Sequence, residues 1–164
     1  MTEAQTTEAR RAGITAEIVA RTGIHEAMIK SLVHRFYAKI REDALLGPVF
    51  ATRIDDWDLH LARMCAFWSS VALLTGRYHG QPMPRHIPLP IDGRYFDRWL
   101  ALFADTACEL CPPAAADHFI ERAQRIAESL EMGIAASRGV LLGKGQRFLD
   151  SSVGRPAAPA AAPN

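Results

Sequence analysis

Residues 76–91, GRYHGQPMPRHIPLPI, hold four prolines and two glycines, which excludes both a long helix and a central strand there. The segment lies between two strongly apolar helical patterns that each carry tryptophan, WDLHLARMCAFWSSVALL before it and RYFDRWLALFADTACEL after it. Any compact fold must therefore carry a stiff, non-repetitive strip of chain across a helical core. A histidine, His86, stands inside that strip, and its purpose is the question the sequence poses.

The flanking patterns fix the class. In residues 24–41 the apolar Met28, Leu32, Phe36 and Ile40 recur every four positions, with Val33 and Tyr37 beside them, as one helical face requires. Gly47 and Pro48 break that pattern. A further helix is expected from Asp55 or Asp56 to about Thr75 or Gly76, its inner face carrying Trp57, His60, Met64, Phe67, Trp68 and Val71. After Asp92 another carries Phe96, Trp99, Phe103 and Leu110 on one side and is closed by Pro112 and Pro113. The last, with Phe119, Ile126, Leu130 and Ile134, ends near Gly139. No alternating strand pattern and no internal repeat is present, so the expected class is all-α with four principal helices.

Length and composition narrow the function. A chain of 164 residues is most simply one domain. Residues 1–21 read as an extension in which 15–21 form a short helix capped by the Thr15 hydroxyl and ended at Gly23. Residues 22–139 read as the domain. Residues 140–164, closing on an Ala/Pro run, read as a flexible tail without the large apolar side chains that offset the entropy of ordering. The start, with acidic residues and no apolar run, is unlike a secretory leader, and no apolar stretch approaches the roughly 20 residues of a membrane span. A cytoplasmic location is expected. Nineteen basic and 18 acidic side chains give a net charge of +1, which offers no footprint for nucleic acid or anionic lipid. An odd three cysteines, Cys65, Cys108 and Cys111, argue against a disulfide framework.

A small-molecule role remains, and the inward polar residues suit one. His60 shares its helical stripe with Met64, Phe67 and Trp68, so it points inward and needs a partner. From His60 to Leu74 a helix rises about 21 Å, and the chain from there to His86 can reach back up to about 40 Å, so His86 can face His60 across a slot. A slot lined by Phe, Trp, Met and Leu, with a histidine on one wall and Tyr, His and Trp donors on the other, suits a flat apolar cofactor holding a metal. Taken singly, each of these residues has an ordinary structural explanation as a satisfied core side chain.

The strings LVHRFYAKIREDALLGPVF, WDLHLARMCAFW, GRYHGQPMPRHIPLP and YFDRWLALF, in this order and spacing over residues 24–137, resemble the truncated haemoglobins, and among them the third group. The resemblance implies a two-on-two helical sandwich in which the proximal helix is reduced to a proline-rich loop. It implies haem b (iron protoporphyrin IX) held by His86 as the proximal iron ligand, and Tyr37, His60 and Trp99 on the distal side. Phe36 and Met64 match pocket walls, Phe50 matches the pocket-closing phenylalanine, and Arg63 matches a basic position that often meets a haem propionate. Phe67, Phe96 and Arg85 join the expected cofactor contacts. His79 is expected in solvent, as are His25, His34 and His118. Met64 stands where a branched aliphatic is commoner, so a thioether approach to the iron is an open alternative.

The expected function is that of a globin of bacterial type, binding O2, NO and CO at a five-coordinate ferrous iron. A neutral hydrogen bond contributes about 0.5–1.5 kcal/mol, so two distal donors would retain O2 up to about a hundredfold longer than an apolar pocket. Such retention fits NO/O2 redox chemistry, resembling an NO dioxygenase or a peroxidase and drawing on an unknown reductase, or sensing, better than the oxygen transport the family name evokes. No nucleic acid or membrane partner is expected, and the chain should be a monomer or weak homo-oligomer. Two alternatives come from other classes. Cys108-Glu-Leu-Cys111 has the spacing of half a structural zinc site, which would fit a helical zinc enzyme. A non-catalytic helical interaction module would need neither the inward histidine nor the tight loop.

Overall fold

A computed structural model describes residues 2–154. Among them the chain forms seven helices and no strand: α1 (Glu3–Thr22), α2 (Glu26–Glu42), α3 (Gly47–Ala51), α4 (Trp57–Leu73), α5 (Pro82–His86), α6 (Gly93–Leu110) and α7 (Pro113–Ser137). The four long helices α2, α4, α6 and α7 make the sandwich: α2 packs on α4 and on α6, and α6 packs along α7. The core between them is built from Ile29, Leu32, Phe36 and Ile40 of α2, Trp68 of α4, Phe103 of α6, and Phe119 and Ile134 of α7, all at most 1% exposed. Full burial of one such side chain contributes about 1.5–3 kcal/mol. Alanines at 72, 107, 115, 123 and 135 are buried between these large residues and let the backbones approach closely.

Helix starts follow the capping residues. Asp56 accepts from the Leu59 amide at 3.0 Å and Asp92 from the Arg94 amide at 3.0 Å, each satisfying one of the free donors of a first turn. His25, expected in solvent, caps α2 by accepting from the Met28 amide at 3.2 Å. The proline segment is not wholly a loop. One helical turn, α5, forms where Pro82 and Pro84 occupy first-turn positions whose missing N–H is not needed. Leu110, expected inward, is 40% exposed at the end of α6.

Three expectations are corrected. The N-terminal helix is not a short one capped by Thr15: α1 begins at Glu3, where Thr2 and Gln5 form a capping box, and ends at Gly23 in the left-handed conformation. The Thr15 hydroxyl instead donates to the Leu73 carbonyl at 2.5 Å, closing the end of α4. His118 is buried, not solvated. Its Nε2–H donates to the Ala72 carbonyl at 2.9 Å, and its Nδ1 accepts from Arg21 at 3.4 Å. Two orphan carbonyls of α4 are thus satisfied by α1 and α7, which docks the N-terminal helix. Finally, residues 140–154 are not a free tail, because Phe148 and Val153 are buried against the domain. The Ala/Pro run from residue 155 lies outside the described residues.

Candidate functional site

Tyr37 and His60 meet first. Tyr37 follows Phe36 on α2, and both are buried, Phe36 completely. The His60 imidazole, one turn into α4, stands perpendicular to the Tyr37 ring with centroids 5.0 Å apart. Trp57 packs against His60 at 5.7 Å and Phe50 at 6.5 Å, both edge to face. His60 is thereby held in an aromatic cage, the arrangement ring quadrupoles favour. Arg41 lies over the outer face of Trp57 at 4.6 Å. Phe36 continues the cluster to Trp99 at 5.4 Å and to Phe103 at 5.1 Å, and Trp99 stacks on Phe103.

Electrostatics keep this cluster neutral. Burial raises the Tyr37 phenol well above its ordinary value, so it holds its proton at any physiological pH. Burial lowers the His60 pKa, and the charges of Arg63 and Arg85 lower it further. Arg85 belongs to α5, so its field brings the proline segment into the surroundings of His60. The His60 Nε2 is enclosed by protein and has no hydrogen-bond partner, an arrangement that costs about 1–3 kcal/mol unless something else meets the atom.

His86, at the end of α5, is half-buried. Its Nδ1 lies 2.7 Å from the Pro82 carbonyl. A carbonyl only accepts, so Nδ1 carries the proton and Nε2 presents a lone pair. That is the tautomer a metal-ligating imidazole needs, with its ring oriented by a backbone acceptor. Burial lowers the His86 pKa against the opposing effect of the Pro82 carbonyl, which favours the neutral form that coordinates metal.

The other expected residues divide. Phe67 and Met64 are half-buried on α4, and Phe67 meets Trp68 at 5.6 Å and Tyr78 at 5.2 Å. Arg63 and Arg85 are exposed, as is His79. Phe96 is apart from the cage: it is buried in a cavity of about 190 Å³ with Leu100, Ala127, Met132 and Leu142. Sequence reasoning placed Trp57 on the inner face without seeing that it walls His60, and it passed over Tyr78 and Met83. The signal for Trp57 was its i, i+3 spacing from His60. Among the described residues no group of three or more His, Cys, Asp or Glu comes together, so Cys108 and Cys111 find no further zinc ligands. No helix of the described residues is long and apolar enough to cross a membrane.

The donor set, an imidazole with a free Nε2 lone pair and a buried, unpartnered imidazole nitrogen among aromatic rings, fits a haem. Comparison with known proteins agrees. The profile of the bacterial-like globins matches residues 20–131. A group 3 truncated haemoglobin of Campylobacter jejuni is 33% identical over 113 residues, 66% of this chain and 89% of that protein. A group 2 truncated haemoglobin of Bacillus subtilis is 29% identical over 84 residues, 50% of this chain and 64% of that protein. The crystal structure of the group III truncated haemoglobin from Campylobacter jejuni superposes with a TM-score of 0.63 at 33% identity, covering 66% of this chain and 89% of that one. With this sandwich, this stiffened histidine segment and these relatives, the chain belongs to the bacterial-like globins as a truncated haemoglobin of group III.

Proposed function

We propose that the protein holds haem b through His86 and binds O2, NO or CO in the pocket walled by Tyr37, His60 and Trp99, retaining the ligand rather than delivering it. The observation that carries this reading is the pair of imidazoles. His86 commits its Nδ1 proton to Pro82, and His60 keeps a buried Nε2 without a partner. Haem iron, when bound, supplies the site for a diatomic ligand and its one-electron chemistry. The chain supplies the rest. Phe36, Phe50, Met64 and Phe67 would form apolar walls that exclude water; Phe96, which faces the cavity beside α7, is left out of them. Arg63 and Arg85, both exposed cations, would meet the propionates.

Tyr37 acts as a fixed donor, since burial keeps its O–H intact. Trp99 offers an indole N–H, which can only donate. Donors preorganised in a dry site stabilise developing negative charge more than water does. His60, neutral at physiological pH, can donate or pass a proton at Nε2 from within its cage. Retention of this kind supports NO and O2 redox chemistry yielding nitrate, a peroxidase-like reaction or sensing, with electrons from an external reductase.

Reconstitution with haem tests the reading. An intense Soret band is expected, lost in His86→Ala. Tyr37→Phe and Trp99→Phe are each expected to speed O2 dissociation by roughly tenfold and together by up to about a hundredfold. Unchanged dissociation rates would remove the donors from the scheme, and a Soret band that survives in His86→Ala would remove the ligand.

A further inference from the structure

The globin profile ends at residue 131, yet the chain beyond it returns to the segment that carries His86. After α7 the backbone turns at Gly139 and brings Phe148 and Val153 into buried positions. Arg138 makes the central contact. Its Nη2 donates to the Leu89 carbonyl at 2.6 Å, and its Nη1 pairs with Asp150 at 2.9 Å. The Leu89 amide in turn donates to the His86 carbonyl at 3.0 Å. Arg138 is therefore two hydrogen bonds from His86, through a single residue that uses both of its backbone groups.

Buried carboxylates lock the same region. Asp92, fully buried, accepts from the Arg94 guanidinium at 2.8 Å and from the Asp150 amide at 3.1 Å. Glu131, also buried, accepts from the Phe148 amide at 2.8 Å and from Arg147 at 3.1 Å. Unpaired, each would be strongly unfavourable in the interior, so the strap and the proximal segment hold one another. The Gly93 amide donates to the Phe148 carbonyl at 2.7 Å, and a side chain at Gly93 would lie 2.6 Å from Glu131 Oε1. Only glycine allows this approach. On the other side of His86, the Met83 thioether rests on Gly133 of α7, where a Cβ would collide with it.

We propose that residues 138–153 form a strap that sets the orientation of the proximal histidine, with Arg138 as its positioning residue. The inference rests on the reading of His86 as the iron ligand. A lone helical turn such as α5 has no stability of its own. Its geometry is imposed by what grips it, and a rotation of that turn carries the His86 ring with it through the bond to Pro82. Arg138 fixes the chain three residues past His86, and Met83 fixes it three residues before.

The test uses Arg138→Met, which removes the donors and keeps the stem, Arg138→Lys, and Ile29→Val as a core change on α2 that leaves the strap intact. In the haem-loaded ferrous proteins, Arg138→Met is expected to shift the iron–histidine stretching band and to lose haem to an acceptor protein roughly tenfold faster. Arg138→Lys should restore most of both, and Ile29→Val should lower only the unfolding midpoint. In the cofactor-free chain, amide exchange over residues 83–93 should quicken in Arg138→Met. A stretching band and exchange pattern like the wild type, or equal changes in Ile29→Val, would overturn the strap. If the wild type takes up no haem, the functional reading falls, while amide exchange still decides whether the strap orders the proximal segment.

Discussion

The imidazole of His118 joins three helices: it donates to Ala72 at the end of α4, accepts from Arg21 of α1, and itself belongs to α7. Burial lowers its pKa first, and the nearby charges of Arg122 and Arg21 add to this, against the opposing Ala72 carbonyl. The folded chain thus keeps His118 neutral below the ordinary value of 6.5, where the unfolded chain already takes up a proton. The stability this residue confers is present above pH 6.5 and drains as pH falls toward its folded value. His60 and His86 shift in the same direction, so the cofactor-free protein should lose stability between pH 7.5 and 5.5 by urea unfolding. His118→Gln keeps a donor for Ala72 and cannot titrate. It should flatten part of that slope while staying within about 1 kcal/mol of the wild type at pH 7.5. An unaltered slope would mean that His118 does not contribute.

Helix ends explain much of what could be read in advance. Gly23 was legible as a C-cap and Asp55 or Asp56 as an N-cap because their chemistry is local, and the segment from residue 76 to 91 was legible as an interruption because proline cannot be otherwise. The end of α4 was not legible. It stops at Leu74, the single non-glycine residue with positive φ among those described, at 58°, because its carbonyls find partners on distant α1 and α7. The left-handed strain on Leu74 is about 1–2 kcal/mol, against about 0.4–1 kcal/mol for the added freedom of glycine in the unfolded chain. Leu74 is 40% exposed, so the buried part of its side chain still contributes about 1 kcal/mol or more. Leu74→Gly is therefore expected to stay within about 1 kcal/mol of the wild type in denaturant titration, relief of the turn offsetting the lost packing; a larger loss would show that packing, not the turn, dominates at this position. In the candidate site, the contact of Trp57 with His60 was not foreseen and the nearness of Tyr37 was only implied by the family resemblance, but the inward turn of His60 followed from helical spacing. The His86 bond to Pro82 did not, since it depends on a turn of helix that the prolines alone do not specify. Nor did two isolated apolar residues, Phe148 and Val153, make a period from which a strap could be inferred.

Among the described residues, the globin sandwich is gripped by the segments that precede and follow it, α1 and residues 138–153. Residues 2–14 of α1 are exposed, and its attachment lies in Thr15, Ile18, Arg21 and Thr22. Deleting residues 1–12 should therefore change stability by less than about 1 kcal/mol, under about 4 °C in a thermal melt. Thr15→Val, which removes the bond to Leu73, should cost about 1 kcal/mol by itself. A deletion that unfolds the protein would show that the outer turns of α1 are needed. At the same scale, the aromatic contacts join into one run from Trp57 through His60, Tyr37, Phe36 and Trp99 to Phe103, Trp68, Phe67 and Tyr78. All three tryptophans of the chain belong to it. Ultraviolet emission from this protein is consequently a collective signal: every fluorophore of that type reports the integrity of the same stacked array, and a partial opening at either end changes the light given off by the whole.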